Sequence, residues 1–451
     1  MLTEKKERFL WISLFFIFMI LFMSFNYSDL IITTGHGINF WDILTNGRIV
    51  HFYEDNSSAP YVSISTGNCV YSFLYYIVFA LWNFPLWLLG KASVDVMNNL
   101  PCLMWAKLLP VLAVWTTMKL IQRIMKTMGV SQKQIKLAVY LYLSSSMILT
   151  SVLINSRYDS ICSVFMLLAL QAFQKRNEKK FLLWSGISFC FNYLTVLVFL
   201  PLLVLREKKI LKIIWKTVLM LIPYFLTTIP FIFHPSPERG QTEKQLFSVL
   251  FARTNGRFSW FVITYIIILV YAYIQDEEKS AVNLPIWLAC FSLASIIAFC
   301  FVLPYWPIML IPYIAMIIGT ADESKDQINL ILEAMGVGGL VLGDMVYFYW
   351  CYGKETMQKM LISVLFPEQL IRSHVIMDIW IRVSQYGYIQ LVFNSVFVVG
   401  MILLAVINFP NEKINSCMIR IEDKNDLSQI IILRWIFNVL ICIIPFITLI
   451  R

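Results

Sequence analysis

Charged residues are scarce in this sequence. Asp, Glu, Lys and Arg make up 14% of its 451 residues, whereas about a quarter of a typical soluble protein is charged. Hydrophobic residues reach 59%, and apolar runs close to the roughly 20 residues that span a bilayer recur from one end of the chain to the other. The composition therefore excludes an ordinary soluble domain and predicts a multi-pass membrane protein built from helices.

The sequence also lacks the short motifs of several common protein classes. Its nine cysteines stand singly, with no CxxC pair and no Cys/His spacing typical of a zinc site. No Walker A sequence for binding nucleotide phosphates is present. The formal charge of +9 comes from basic residues in short clusters between apolar runs. Such clusters are typical of cytoplasmic loops, so we expect no nucleic-acid partner.

The apolar runs predict an all-α, polytopic transmembrane bundle with about 11–13 membrane segments. The first run is longer than the roughly 7–15 apolar residues of a signal peptide, and no cleavage site follows it, so we expect a retained helix. The predicted segments are 9–26, 70–89, 101–121, 137–154, 161–174, 181–205, 217–233, 259–275, 282–303, 306–320, 327–350, 387–409 and 430–449.

Basic residues determine the predicted orientation of these segments. Those between positions 5 and 8 place the N-terminus in the cytoplasm. The loop from 27 to 69 should then lie outside the membrane, together with loops 234–258 and 351–386. All four histidines of the chain fall in these external loops.

Two predicted segments do not behave as simple crossings. Segment 181–205 has basic clusters on both sides, so we expect two half-helices, broken near Asn192, that enter and leave on the same face. Segment 70–89 is interrupted by Pro85, and its tryptophans suit the membrane interface. The number of crossings therefore stays open by about two.

The first external loop holds an unusual mixture of charged and apolar residues. In "TTGHGINFWDILTNGRIVHFYEDN" (33–56), apolar residues from Ile38 to Phe52 recur at helical spacing. This pattern predicts amphipathic helices that lie along the membrane surface. Asp42 would then sit at the bilayer boundary. The simpler interpretation is that polar residues of a membrane protein belong in loops.

A second polar cluster lies between two apolar segments. Asn155, Arg157, Tyr158 and Asp159 follow one another closely there. Either Arg157 and Asp159 form a turn at a helix end, or Arg157 faces a phosphate, whose oxygens match the forked donors of a guanidinium group.

The order of these features resembles the GT-C superfamily of membrane glycosyltransferases, whose donors are sugars linked to polyprenyl phosphate. Members have a cytoplasmic N-terminus, a first transmembrane helix and then a long external loop with a catalytic Asp or Glu. A later Gly/Ser-Arg-x-Asp segment with a hydrophobic run and basic residues is matched by "NSRYDSICSVFMLLALQAFQKRNEKK" (155–180). Broken helices (181–209) and the "LPYWPIMLIPYIAM" element (303–316) follow in the order of the family.

The resemblance implies a catalytic membrane module at 1–320, including loop 27–69, followed by C-terminal transmembrane helices at 321–451. It also implies transfer of a sugar from a polyprenyl-phosphate carrier to a glycan, lipid or polymer acceptor. The reaction would take place at the outer face of a bacterial cytoplasmic membrane, in contact with membrane lipids. A first-loop carboxylate would remove the proton of the acceptor hydroxyl, and basic groups would stabilise the leaving phosphate.

Several residues are candidates for these roles. Asp42 is the first choice for the general base, with Asp29 and Asp55 as second choices. The loop lacks the Asp-x-Asp or Glu-x-Asp pair with which some members bind metal, so a divalent cation, Mg²⁺ or Mn²⁺, stays an open question. The candidates for binding the substrate or its phosphate are His36, Arg48, Arg157, Asp159, Arg257, Arg372 and His374.

Two other functions fit the same sequence. An O-antigen-type polymerase or ligase would use Arg372 and His374 in the late external loop. A transporter or flippase of lipid-linked sugars would line a central path with charged groups, and Lys107 and Asp344 lie within predicted segments. In a second interpretation these two residues snorkel to the membrane surface or pair within the bundle. The glycines from 336 to 343 predict close helix packing.

Overall fold

The computed structural model describes residues 4–56, 69, 71–234, 258–278, 280–352, 360–361, 381–383, 385–410 and 427–449. Within these ranges the regular elements are helices, so the predicted all-α fold is confirmed. Six helices of the described part are long and apolar enough to cross a membrane, and two bent pairs raise that number to eight. The chain is thus a multi-pass membrane protein.

The helices up to residue 228 are α1 (Glu4–Ser24), α2 (Ser28–Thr45), α3 (Phe52–Asn56), α4 (Phe73–Trp82), α5 (Phe84–Lys91), α6 (Leu100–Thr127), α7 (Gln132–Leu143), α8 (Ser146–Ile148), α9 (Ser160–Gln174), α10 (Glu178–Phe191), α11 (Thr195–Arg206), α12 (Ile210–Met220) and α13 (Ile222–Thr228). The later ones are α14 (Trp260–Ile274), α15 (Leu284–Phe299), α16 (Ile311–Thr320), α17 (Asp326–Tyr347), α18 (Gly387–Ile407) and α19 (Leu427–Leu449). Each predicted membrane segment overlaps one or more of these helices.

Both interruptions predicted from the sequence are present. Helix α4 meets α5 at a bend of 63°, and Pro85 lies in the first turn of α5, where a backbone donor is not needed. Helices α10 and α11 are separated at Asn192, whose backbone is extended. The side-chain oxygen of Asn192 accepts a hydrogen bond from the Leu194 amide at 3.0 Å, which satisfies a donor exposed by the break.

The first polar loop begins with a helix that starts earlier than the amphipathic pattern predicts. Helix α2 starts at Ser28 and is largely buried. A Cβ atom placed on Gly37 would lie 2.9 Å from the carbonyl carbon of Phe79, so α2 packs backbone to backbone against α4. Gly47, with a φ of 69°, ends this helix, although the helical spacing of apolar residues continues in the sequence as far as Phe52. The apolar residues after Gly47 belong to a short 3₁₀ turn and to α3.

Lys107 lies inside α6 and is fully buried. Its ammonium group donates to the backbone carbonyls of Phe22 (2.9 Å), Leu153 (2.6 Å) and Phe25, and to that of Leu21 at 3.3 Å. The last carbonyls of α1 have no partner within their own helix. Lys107 therefore caps the C-terminal end of α1 and pairs within the bundle, which is one of the two interpretations offered for this charge.

The glycine cluster of α17 packs against α18, as predicted. A Cβ atom on Gly400 would lie 3.2 Å from the Cα atom of Gly336, and one on Gly339 would lie 3.2 Å from the Phe393 carbonyl oxygen. Small residues let the two helix backbones approach closely, which is how helices associate in a bilayer.

A buried ion pair joins the C-terminal helix to the rest of the bundle. Arg434 of α19 pairs with Glu333 of α17, with Arg434 Nη2 at 2.8 Å from Glu333 Oε1. The same guanidinium group donates to Ser144 Oγ (2.6 Å) and to the Leu141 carbonyl (3.1 Å). Both charged side chains are at least 96% buried, so the pair depends on these extra hydrogen bonds to offset desolvation.

Replacing Glu333 with alanine should therefore destabilise the protein strongly. The substitution leaves the buried Arg434 without its carboxylate, and breaking a buried pair from one side costs about 3–5 kcal/mol. The melting temperature of the purified protein in detergent measures this loss. Glu278→Ala is the control, because the Arg176–Glu278 pair is exposed and such pairs contribute about 0–1 kcal/mol. Equal melting temperatures for the two variants would contradict the prediction.

Candidate functional site

The start of the first polar loop and the 155–159 segment meet at one point. Asp29 lies in the first turn of α2, where a helix N-terminus favours negative charge. One of its oxygens, Oδ2, pairs with Arg157 Nη1. The same oxygen accepts hydrogen bonds from the hydroxyls of Tyr71 (3.1 Å) and Tyr158 (3.0 Å). Among the described residues, no side chain donates to the other oxygen, Oδ1, and Asp29 remains 24% exposed.

Two aromatic rings lie against the guanidinium group of Arg157. Its guanidinium carbon lies 3.6 Å from the ring centre of Tyr305 and 4.9 Å from that of Tyr27. Such cation–π contacts are strongest when the cation is desolvated, and Arg157 is 4% exposed. Its Nε atom is buried without a hydrogen-bond partner among the described residues. This donor is thus enclosed by the surrounding side chains.

An irregular backbone brings Arg157 to this position. The chain from Leu149 to Ile154 is a π-helix, and Ser156 adopts a left-handed conformation with a φ of 51°. The amide of Arg157 then donates to the Ser151 carbonyl at 2.8 Å. π-Helical turns and left-handed non-glycine residues are both concentrated at functional sites. The ion-pair partner of Arg157 is thus Asp29, and the interpretation in which Arg157 faces a phosphate stays a prediction.

Asp159 is buried beside this pair. Burial raises its pKa to about 7, and the charge of Asp29 acts in the same direction, whereas the charge of Arg157 opposes the shift. A carboxyl group with this pKa exchanges a proton near neutral pH. Asp159 therefore joins Asp29 and Arg157 as a third ionisable group of the site.

Asp42 lies at the opposite end of α2 from Asp29, about 20 Å away at 1.5 Å per helical residue. Its Oδ1 accepts a hydrogen bond from Trp87 Nε1 (2.8 Å) and pairs with Lys91 Nζ (2.8 Å). Nearby, Trp82 and Trp105 stack with ring centres 4.6 Å apart, an arrangement suited to a membrane interface. The structure therefore does not bring the first-choice base together with Arg157.

The other candidates of the first loop lie apart from Arg157. Asp55 pairs with the exposed Arg48 at 2.9 Å. His36 is buried within α2, with its ring edge-to-face against Tyr76 at 5.7 Å. Arg257, Arg372 and His374 lie outside the described residues.

Two histidines flank Glu54 near the surface. His51 Nδ1 lies 2.9 Å from Glu54 Oε2, and His234 Nδ1 lies 3.0 Å from Glu54 Oε1. The hydrogen bond from His51, followed by that from His234, holds the pKa of Glu54 below its usual value. One donor atom from each residue lies within 4.8 Å of the others, so the three can hold a metal ion.

The tyrosines of the site were not predicted, with the exception of Tyr158. Tyr27, Tyr71 and Tyr305 come from three separate parts of the chain. Tyr27 follows the first predicted membrane segment, Tyr71 lies at the start of segment 70–89, and Tyr305 belongs to the "LPYWP" element. Nothing in their local sequence indicates that they converge on one arginine.

Asp159→Asn should remove a pH-dependent loss of stability. The pKa of Asp159 is higher in the folded protein than its ordinary value of 3.8, so its contribution is fully present at low pH and is lost as pH rises through 7. At pH 8.5 the variant should gain up to about 4 kcal/mol relative to the wild type, since one pKa unit corresponds to about 1.4 kcal/mol. Melting temperatures of both proteins between pH 5.5 and 8.5 measure the difference.

Asp322→Asn provides the control for this titration. Asp322 caps a turn by accepting from the Ser324 amide (2.9 Å), and this contact lowers its pKa. Its titration therefore lies below the measured range, and the difference from wild type should not change with pH. A constant difference for Asp159→Asn as well would contradict the assignment.

The arrangement as a whole combines a partly exposed carboxylate, a buried guanidinium group and a carboxyl group that titrates near pH 7. Such a set can remove a proton and stabilise a nearby anion. No family model, curated protein or solved structure matches the chain.

Proposed function

We propose that the protein is a GT-C-like membrane glycosyltransferase. It transfers a sugar from a polyprenyl-phosphate carrier to a glycan, lipid or polymer acceptor at the outer face of a bacterial cytoplasmic membrane. The observation that carries the proposal is the contact between Asp29 and Arg157. It joins the start of the first polar loop to the Arg-x-Asp segment, and these are the two stretches on which the resemblance to the family rests.

Asp29 acts as the general base in this proposal. The acceptor hydroxyl loses its proton to a carboxylate as its oxygen attacks the anomeric carbon. Arg157, Tyr71 and Tyr158 all bind Oδ2 of Asp29, so the carboxylate is held in one orientation. Its second oxygen, Oδ1, is then the atom that accepts the proton.

Arg157 stabilises the leaving group. When the bond between the sugar and the carrier breaks, negative charge develops on the polyprenyl phosphate. A guanidinium group has five donors in a planar fork and remains charged, and only part of this fork is used by Asp29. In a buried site such a donor has a larger effect on developing charge than it has in water. Asp159, whose pKa is about 7, is a second group able to exchange a proton at neutral pH.

The position of Arg157 favours Asp29 over Asp42 as the general base. The base and the phosphate-binding group must both reach the same sugar ring. Asp42 instead pairs with Lys91 at the far end of α2. In the described part of the chain, the first-loop carboxylates form no oxygen-rich cluster of the kind that Mg²⁺ or Mn²⁺ prefers.

The transport alternative receives less support. One of the two intramembrane charges on which it rested, Lys107, is occupied by backbone carbonyls at the end of α1 and near the π-helix. It therefore caps helix ends and does not line a path. The polymerase or ligase alternative concerns Arg372 and His374, and it is addressed by the experiment below.

Asp29→Asn should abolish sugar transfer at a temperature at which its melting curve shows that the variant is folded, since the substitution also leaves the buried Arg157 without its charged partner. The amide keeps the shape of the carboxylate but cannot accept the proton, and loss of a general base lowers rates by about 10²–10⁴-fold. Purified full-length protein in nanodiscs is incubated with a decaprenyl-phosphate-linked radiolabelled sugar and a membrane extract that contains acceptors. Transfer of the label to the acceptor fraction is measured for wild type, Asp29→Asn and Asp42→Asn.

We expect Asp42→Asn to retain most of the wild-type rate, which makes it the matched control on the same helix. Arg157→Lys keeps the charge but loses the forked donors, so its rate should also fall. Loss of transfer in Asp42→Asn alone would contradict the choice of Asp29. Loss in Arg372→Ala and His374→Ala, with Asp29→Asn active, would favour a polymerase or ligase. Movement of the lipid-linked sugar across the membrane without a new glycosidic bond would favour a flippase.

A further inference from the structure

A second cluster of ionisable side chains lies outside the proposed active site. Glu54, in α3, places one carboxylate oxygen 2.9 Å from His51 Nδ1 and the other 3.0 Å from His234 Nδ1. The two imidazole rings are 4.1 Å apart, centre to centre. The side chains are 32–48% exposed, so a solvated ion can reach them.

We propose that His51, Glu54 and His234 bind one zinc ion. Zinc takes imidazole nitrogen at about 2.0–2.1 Å and carboxylate oxygen at about 2.0–2.2 Å, in a tetrahedral arrangement. Three ligand atoms around such an ion lie a little over 3 Å apart. The described ligand atoms already lie within 4.8 Å of one another, so small side-chain rotations bring all three onto one ion. Water completes the coordination on the exposed side.

The ligand set selects the kind of metal. Imidazole nitrogen suits zinc and other late transition metals, whereas Mg²⁺ and Ca²⁺ prefer sites made of oxygen atoms. Two of the three ligands here are imidazoles. The site therefore takes Zn²⁺ in preference to Mg²⁺, and Co²⁺ can serve as a spectroscopic substitute for it.

The ion would connect two segments that are far apart in the sequence. His51 and Glu54 follow α2, whereas His234 follows the 3₁₀ turn Ile229–Phe231 after α13. The apolar contact beside them is already formed, because the rings of Tyr53 and Phe231 lie 5.1 Å apart. A zinc ion would hold the two segments together at the exposed edge of this contact.

The cluster of His51, Glu54 and His234 also borders the proposed active site. The hydroxyl of Tyr53 donates to the backbone carbonyl of Tyr71 (3.1 Å), and the hydroxyl of Tyr71 donates to Asp29. The zinc ion itself contacts none of the groups assigned to sugar transfer. The zinc proposal does not require the proposed function, and each can fail without the other.

Metal binding to the purified, tag-free, full-length protein tests the proposal. After treatment with a chelator and its removal, the protein is titrated with ZnCl₂ in detergent by calorimetry, and in parallel with MgCl₂. We expect one Zn²⁺ per chain and no comparable Mg²⁺ binding. His51→Ala, His234→Ala and Glu54→Gln should each weaken Zn²⁺ binding by more than about 100-fold, because even the loss of a residue that only hydrogen-bonds to a metal ligand weakens binding by about 10- to 100-fold.

Asp55→Asn is the matched control, since Asp55 is the neighbouring carboxylate and pairs with Arg48 instead. It should bind Zn²⁺ as the wild type does. Melting temperatures without metal establish that the ligand variants are folded, and Zn²⁺ should raise the melting temperature of the wild type and of Asp55→Asn only. Absorption of the Co²⁺-loaded protein in the visible range should likewise disappear in the histidine variants.

Two results would overturn the zinc site. One is a wild-type protein that takes up no Zn²⁺ beyond the level of Glu54→Gln, which would leave the cluster as a hydrogen-bonded group of surface side chains. The other is Zn²⁺ binding that persists in His51→Ala and His234→Ala, which would place the metal elsewhere on the chain. Neither result depends on sugar transfer.

Discussion

The pairing of Asp29 with Arg157 is the interaction around which this part of the molecule is organised. Taking both charges out of water is costly, and their attraction alone does not offset that cost. Two tyrosine hydroxyls bind the carboxylate and two tyrosine rings cover the guanidinium group. Four segments of the chain, at positions 27–29, 71, 157–158 and 305, are thereby held against one another.

The helices were predictable from the sequence because each one depends on the composition of its own segment. An apolar run of sufficient length must form a helix in a bilayer, where every backbone polar group needs an internal partner. The breaks near Pro85 and Asn192 were predictable for the same reason, since a proline or a polar side chain inside an apolar run disfavours a continuous helix. The division of the first loop at Gly47 was missed, because the apolar spacing continues across it although the backbone does not.

The site was only partly predictable. Asp29 and Arg157 were both among the candidates, yet 128 residues separate them, and no spacing rule relates positions so far apart. His51 and Glu54 stand close together in sequence, but His234 lies 180 residues beyond Glu54, so the three residues form no short metal-binding motif. Contacts of this kind are produced by helix packing, which the composition of one segment does not reveal.

Lys107 contacts both of the chain segments that carry the Asp29–Arg157 pair. Its ammonium group holds the carbonyl of Phe25, four residues before Asp29, and that of Leu153, four residues before Arg157. One side chain from α6 thus binds the backbone of both segments shortly before the two residues of the ion pair. The buried Lys107 side chain is a common anchor for the acid and the arginine, and it comes from a third helix that supplies neither of them.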